Sequence, residues 1–302
     1  MIGIISALNE ELMEIIDKIE TKKVVKGCFT FYLANIYDKD VVLGICGVGK
    51  VNSAMYTQSM IDNFSPDTII NIGVAGSTDD AVKIGDLVIG TEYFYHDFDC
   101  TEAGYTMGQI PALRDVKFIA DKRLVDLSYE KAKKVLSEDK IFKGIIATGD
   151  IFVAKKEIKD RIKKNFNSLC CEMESCSIVH TCHLNDVKYL ALRSISDNAN
   201  DEADLDFETF VAESSKVVKS IILAMIEIKN LKKNYGKFVA IEDFNLQIEE
   251  GKTYGILGRI NSGGTTIFNL LCNYTLKDDG TILIDEKDPE DARDLIYMCP
   301  KM

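Results

Sequence analysis

The sequence predicts an α/β fold, a three-layer sandwich in which helices cover both faces of a central mixed β-sheet. Three observations carry this. Apolar runs of strand length alternate with helical patterns along most of the chain. Several runs, such as Ile2-Gly3-Ile4-Ile5 and Thr68 to Ile72, lack polar alternation, as strands buried on both faces do. Three strand ends carry glycine turns: Gly47-Val48-Gly49, Gly73-Val74-Ala75-Gly76 and Thr148-Gly149-Asp150. In open sheets, ligands collect at such ends.

The elements follow in order. Residues 2–6 read as a buried strand, and Asn9-Glu10-Glu11 opens a helix with apolar positions at Leu12, Ile15, Ile16 and Ile19. Phe29 to Ile36 and Val41 to Cys46 form strands around the Asp38-Lys39-Asp40 turn. A helix from Lys50 to Asn63 precedes strands at Thr68 to Ile72 and Leu87 to Tyr93. Beyond a loop at 95–115, the pattern predicts a helix over 121–137, a strand over 141–148 and a helix over 155–165. Cys170 to Glu172 is extended, Met173 to His183 helical, Val187 to Ser194 a strand, and Asp206 to Ile226 a helix. The pattern then restarts, with strand-like runs at Glu227 to Asn230, Phe244 to Ile248 and Thr253 to Leu257. A boundary there divides a main domain, 1–226, from a smaller α/β appendage, 227–302.

The chain has 302 residues, 46% of them hydrophobic, enough for one large core or a domain plus an appendage. No apolar run reaches the roughly 18 residues that span a bilayer. Met1 leads straight into apolar residues without a basic segment, so no signal peptide is expected and the location is expected to be cytoplasmic. A net charge of −12 argues against nucleic acid and anionic membranes as partners. Nine cysteines without a CxxC pair suggest neither a zinc frame nor a disulfide scaffold. Cys170-Cys171, Cys176 and Cys182-His183 read instead as small buried residues in a reducing compartment. His180 and His183 share a helical face without an evident third ligand, so they and His96 are expected to be structural. No metal and no cofactor is expected.

Glu11, Glu174 and Asp197 stand at strand–helix junctions. Taken singly, each could merely complement a helix dipole. Their surroundings carry more. Ile2-Gly3-Ile4-Ile5-Ser6-Ala7-Leu8-Asn9-Glu10-Glu11, Gly47-Val48-Gly49-Lys50-Val51-Asn52, Ile70-Asn71-Ile72-Gly73-Val74-Ala75-Gly76, Thr148-Gly149-Asp150, Glu172-Met173-Glu174 and Arg193-Ser194-Ile195-Ser196-Asp197 occur in that order. The set resembles bacterial 5′-methylthioadenosine/S-adenosylhomocysteine nucleosidases of the nucleoside phosphorylase superfamily, over residues 1 to about 226.

The resemblance implies roles. Glu11 matches the general base that activates water, and Arg193 a residue that helps hold that water. Glu174 matches the carboxylate on the ribose hydroxyls, with Met173 against the sugar. Asp197 matches the general acid at adenine N7. Phe152 matches the aromatic stacked on the base, Val153 the backbone that bonds the adenine edge, and Phe207 a wall of the 5′-substituent pocket. Ser196, Val48, Val74 and Ala75 complete the substrate-binding set. The loop holding Cys100 and Ala103 matches one that crosses to the neighbouring subunit's site in a homodimer.

The chemistry needs these types. Adenine leaves poorly as an anion, so protonating N7 lets it depart neutral. Carboxylates stabilise the oxocarbenium-like sugar, and a base on the opposite face deprotonates water. Asp197 is expected to be held in surroundings that favour its protonated form. Three alternatives stay open at this point: a phosphate-dependent phosphorylase, an aminodeoxyfutalosine hydrolase, and a non-catalytic nucleoside-binding module. Phosphate would need cationic partners, and Ile70-Asn71-Ile72-Gly73 offers none. Ala103 and Val74 are departures from the family's more usual residues, and both bear on the 5′-substituent or the water.

Residues 227–302 resemble the start of an ABC-type ATP-binding domain. Tyr235 stands where an adenine-stacking aromatic is usual. The Gly258 to Thr265 stretch, with Gly263, has the P-loop form. The lysine position is Gly264, however, and Lys301 stands where the Q-loop glutamine is expected. This degenerate loop is expected not to hydrolyse ATP.

Overall fold

The structure is a computed structural model that describes residues 1–36, 39–111, 113, 116–133, 135–200, 203, 231–235, 238–244, 266 and 278. The chain divides into two compact units, Met1–Ile226 and Glu227–Met302.

In the first unit, β1 (Ile2–Ser6) is followed by α1 (Asn9–Lys18), β2 (Thr21–Lys26), β3 (Phe29–Ile36), β4 (Lys39–Ile45) and α2 (Lys50–Phe64). Then come β5 (Thr68–Ser77), β6 (Leu87–Tyr95), β7 (Phe118–Ile119), α3 (Lys122–Ala132), β8 (Ile141–Thr148), α4 (Lys156–Phe166), β9 (Cys170–Glu172), α5 (Ser175–Leu184) and β10 (Lys188–Asp197). The sheet is mixed, as expected. β1 pairs in parallel with β4 and β5, and β5 with β10. β2–β3, β3–β4, β5–β9 and β6–β10 are antiparallel. One end of the sheet closes on itself, because β10 pairs with both β5 and β6 while β8 and β9 complete the circuit. The open end runs β5-β1-β4-β3-β2.

Burial explains the missing alternation. From Ile69 to Ser77 and from Tyr189 to Asp197 every residue is buried, as strands covered on both faces require. α2 packs on α5, and small side chains permit the approach: Ser53 Oγ lies 2.5 Å from Ser177 Oγ. Cys170, Cys171, Cys176 and Cys182 are free and buried, which accords with the packing reading of the cysteines. His180 stacks on Phe118 with ring centroids 4.6 Å apart, and its Nδ1 lies 3.2 Å from the Tyr95 hydroxyl. Among the described residues, no helix is long and apolar enough to cross a membrane.

Two local expectations are corrected, and two strands appear that the sequence did not suggest. β5 continues five residues past Ile72, through Gly73-Val74-Ala75-Gly76, because β10 and β9 supply ladder partners there. β2 is a strand that the lysine-rich Thr21–Lys26 pattern conceals. It is an edge strand with Lys22, Lys23 and Lys26 exposed, which discourages pairing with another chain. β7 is a two-residue addition to β6. α5 begins at Ser175 rather than Met173, since Glu174 is a non-helical N-cap with φ −133°.

In the second unit, β11 (Leu231–Tyr235) pairs antiparallel with β12 (Phe238–Phe244), Tyr235 facing Phe238. Neither strand was anticipated; the expected strands Glu227 to Asn230, Phe244 to Ile248 beyond its first residue, and Thr253 to Leu257 lie outside the described residues. The expected helix Asp206 to Ile226 with Phe207, and the loop with Gly258, Gly263 and Thr265, lie outside the described residues.

Candidate active site

Strand ends and turns enclose a cavity of about 410 Å³, within the range of small-molecule sites. Ten of the sequence-predicted residues line it: Glu11, Val48, Val74, Ala75, Phe152, Val153, Met173, Glu174, Ser196 and Asp197. Six chain segments far apart in sequence therefore converge on one space.

Glu11 is placed by its own helix start. At the third position of α1 its Oε2 accepts the backbone N–H groups of Ala7 and Leu8, each at 2.9 Å. Two otherwise orphaned donors are thus satisfied. Its Oε1 accepts Val74 N–H from β5 at 3.1 Å. A Cβ at residue 73 would lie 2.7 Å from this oxygen, so a glycine is needed there. Burial raises the Glu11 pKa, against the opposing pull of Arg193 and the three N–H groups.

Asp197 owes its direction to an irregularity. The β10–β5 register runs evenly to Ile195 opposite Ala75, then shifts so that Asp197 faces Gly76. Such a bulge re-aims the side chain. Asp197 is 3% exposed, and it accepts Ser196 Oγ–H and Ala199 N–H, each at 2.9 Å. A Cβ at residue 76 would lie 2.5 Å from Asp197 Oδ1. Val74, which anchors Glu11, and Gly76, which faces Asp197, stand two residues apart on β5. That is about 7 Å along a strand.

Glu174 closes the third side. Its Oε1 accepts Gly49 N–H at 2.8 Å, which ties the α5 start to the α2 start. Its pKa is pushed up to about 8, by burial first and then by the nearby Glu172 charge. Glu172 has the opposite fate. Although burial opposes it, Arg193 holds Glu172 below the ordinary carboxylate range. Arg193 Nη2 donates to Glu172 Oε2 at 2.8 Å and to Asn71 Oδ1 at 2.5 Å. Glu172 also accepts Thr148 Oγ–H and the N–H groups of Glu174 and Ser175.

Arg193 therefore stands behind the cavity wall, 1% exposed, instead of lining it. Cys100 and Ala103 lie at an exposed to half-exposed turn around Thr101–Ala103, also away from the lining. Glu172, Asn71 and Cys171 were not singled out as site residues. Glu172 stood in the quoted Glu-Met-Glu run, but its partner Arg193 lies 21 residues on, and nothing local reveals the pairing. Cys171 joins the lining, its thiol pushed up by burial.

The raised Glu174 pKa has a consequence for stability. A folded value above the unfolded one favours the native state below about 4.5 and loses that contribution as pH rises through about 8. Thermal denaturation between pH 5 and 9 is expected to show Tm falling across this interval. Each kcal/mol corresponds to about 2–4 °C in a domain of this size. Glu174→Gln, which keeps the neutral shape, should flatten the slope; an unchanged slope would remove Glu174 as its source.

Comparison with known proteins fits this geometry. The Phosphorylase superfamily profile matches residues 1–227, and an ABC transporter profile matches residues 241–300. A 5′-methylthioadenosine/S-adenosylhomocysteine nucleosidase of Staphylococcus carnosus is 38% identical over 229 residues, covering 75% of this chain and 99% of that protein. The solved nucleosidase of the same name from Neisseria meningitidis, in complex with methylthio-immucillin-A, aligns with a TM-score of 0.71 at 32% identity, over 74% of this chain and 97% of that one. The futalosine hydrolase of Helicobacter pylori aligns with a TM-score of 0.71 at 30% identity, over 74% of this chain and 96% of that one.

Proposed function

Because this chain belongs to the phosphorylase superfamily, and within it to the 5′-methylthioadenosine/S-adenosylhomocysteine nucleosidases, we propose that its cavity works as follows. The chain hydrolyses the N-glycosidic bond of 5′-methylthioadenosine and S-adenosylhomocysteine, releasing adenine and the 5′-substituted ribose. Asp197 delivers a proton to adenine N7, Glu11 takes one from the attacking water, and Glu174 receives the ribose hydroxyls. Phe152 and Met173 flank base and sugar, and Val153 offers backbone to the base edge. Arg193 acts at one remove: neutralised by Glu172, it offsets part of the burial that raises Glu11. The site chemistry needs no cofactor.

One observation carries the choice of water over phosphate. Among the described residues, the cavity lining contains four carboxyl groups, Glu11, Glu172, Glu174 and Asp197, and no Lys or Arg. An incoming phosphate would find carboxyl groups and no cationic partner in the lining. Adenine release from 5′-methylthioadenosine in phosphate-free buffer is the test. Full activity there supports hydrolysis, and activity appearing only with added phosphate overturns it. The relatives include a futalosine hydrolase, so aminodeoxyfutalosine is a second adenine nucleoside to assay.

The working form is a homodimer. Val48, Val51 and Met55 are exposed at the start of α2, with Val48 also lining the cavity, and an apolar surface at the site mouth suits burial by a second copy. The segment with Cys100 and Ala103 then reaches the neighbour's 5′-substituent pocket. The location is cytoplasmic. The two units work as a nucleosidase domain, 1–226, and an ATP-binding-like region, 227–302, without ATP hydrolysis, since Gly264 leaves no lysine for the phosphates.

A further inference from the structure

Lys50, Asp97 and Asp150 form a polar cluster outside the cavity lining, where three strand ends meet. Asp97 follows β6, Asp150 follows β8, and Lys50 is the first residue of α2. Asp97 Oδ2 accepts both Lys50 Nζ–H at 2.6 Å and Asp150 N–H at 2.8 Å. Asp150 Oδ1 in turn accepts Lys50 N–H at 2.8 Å, and its Oδ2 lies 3.6 Å from Lys50 Nζ. The start of α2 lacks a side-chain cap from its own N-cap residue, Gly49. Asp150 supplies one from another segment, where a carboxylate also complements the helix dipole.

The bonds form a chain that ends in the site. Gly49 N–H, next to the capped Lys50 N–H, holds Glu174. Ile151, Phe152 and Val153, immediately after Asp150, form one cavity wall. Gly149 N–H bonds Glu172 O at 3.0 Å, and His96 N–H bonds Thr148 O at 2.8 Å, so the same junction also touches the Glu172–Glu174 segment. Asp97 is mostly buried, with its side chain 14% exposed, and Lys50 keeps it charged and below the usual carboxylate range.

We propose that Asp97 is a positioning residue for the nucleosidase reaction. Through Lys50 and Asp150 it locks the wall that carries Phe152 and Val153 to the helix start whose Gly49 amide holds Glu174. This rests on the nucleosidase reading, since Phe152, Val153 and Glu174 matter here as the groups that grip base and ribose. Asp97 itself touches neither. Removing it frees the two segments that carry these groups, and a misplacement of about 1 Å can cost about 10²-fold.

The experiment compares the full chain with its Asp97→Ala, Asp97→Asn and Asp150→Ala variants, with 5′-methylthioadenosine as substrate and folding checked by circular dichroism. Asp97→Ala is expected to lower kcat/KM by about 10- to 100-fold, mostly through KM. Asp97→Asn keeps an acceptor oxygen and should recover most of the loss. Asp150→Ala, at a half-exposed side chain, cuts the same chain one link on and should raise KM likewise. The double Ala variant should be no worse than the weaker single one, because the two act as a unit. Wild-type KM in Asp97→Ala or, should that variant not fold, in Asp150→Ala overturns the proposal, as does an Asp97→Asn as impaired as Asp97→Ala. A wild-type chain that releases no adenine instead refutes the nucleosidase reading. Turnover by the wild type with unshifted variants refutes the positioning role alone.

Discussion

Replacing Asp197 by asparagine is expected to lower kcat by about 10²–10⁴, the usual worth of a single general acid, while the fold persists. The geometry explains why the two effects separate. An asparagine oxygen can still accept Ala199 N–H, and the Ser196 hydroxyl can rotate to accept from the new amide instead of donating. Packing against Gly76 is unchanged in volume. What is lost is the proton for adenine N7, because an amide cannot deliver one. Steady-state adenine release and Tm, measured on the same preparation, check both halves. Near-wild-type turnover in this variant would end the assignment of Asp197 as the acid.

Glu11→Gln is the second large effect, and here activity and stability fall together. The carboxylate accepts three backbone N–H groups on two oxygens. A glutamine can offer its oxygen to Ala7 and Leu8, but its NH₂ then faces Val74 N–H, donor against donor. An unsatisfied buried donor costs about 1–3 kcal/mol. The proposed general base is also gone, so kcat should fall by about 10²–10⁴. With Glu11 as the proposed base, its raised pKa is expected to set the acid limb of the wild-type rate profile. Only the ionised form accepts a proton from water, so the rate falls as pH drops through a value above the usual carboxylate range. Denaturation midpoints together with a pH–rate profile measure this, and an acid limb at the ordinary glutamate position would argue that Glu11 is not the base.

Much of the site was legible because its residues sit inside local runs that also dictate structure. Glu11 fills a helix start, Gly73 and Gly76 mark close approaches, and Ser196-Asp197 ends a buried strand. The roles of these and the other predicted residues came from the family resemblance, and ten of them line one cavity. What stayed hidden depends on partners distant in the chain. The Glu172–Arg193–Asn71 network joins β9, β10 and β5, and Asp97 reaches across 47 residues to Lys50. The continuation of β5 through a glycine turn was equally hidden, since only β9 and β10 reveal that those backbone groups have ladder partners. β2 escaped notice because an edge strand needs lysines where a central one needs isoleucines.

The most direct measurement of hydrolysis at this site is turnover of 5′-methylthioadenosine in H₂¹⁸O with phosphate present, followed by mass spectrometry of the sugar. Attack by a water that Glu11 activates predicts one ¹⁸O in the released 5-methylthioribose. The reading taken at the earliest times precedes exchange of the anomeric oxygen, and Asp197→Asn should form almost none. A 5-methylthioribose 1-phosphate product would contradict it.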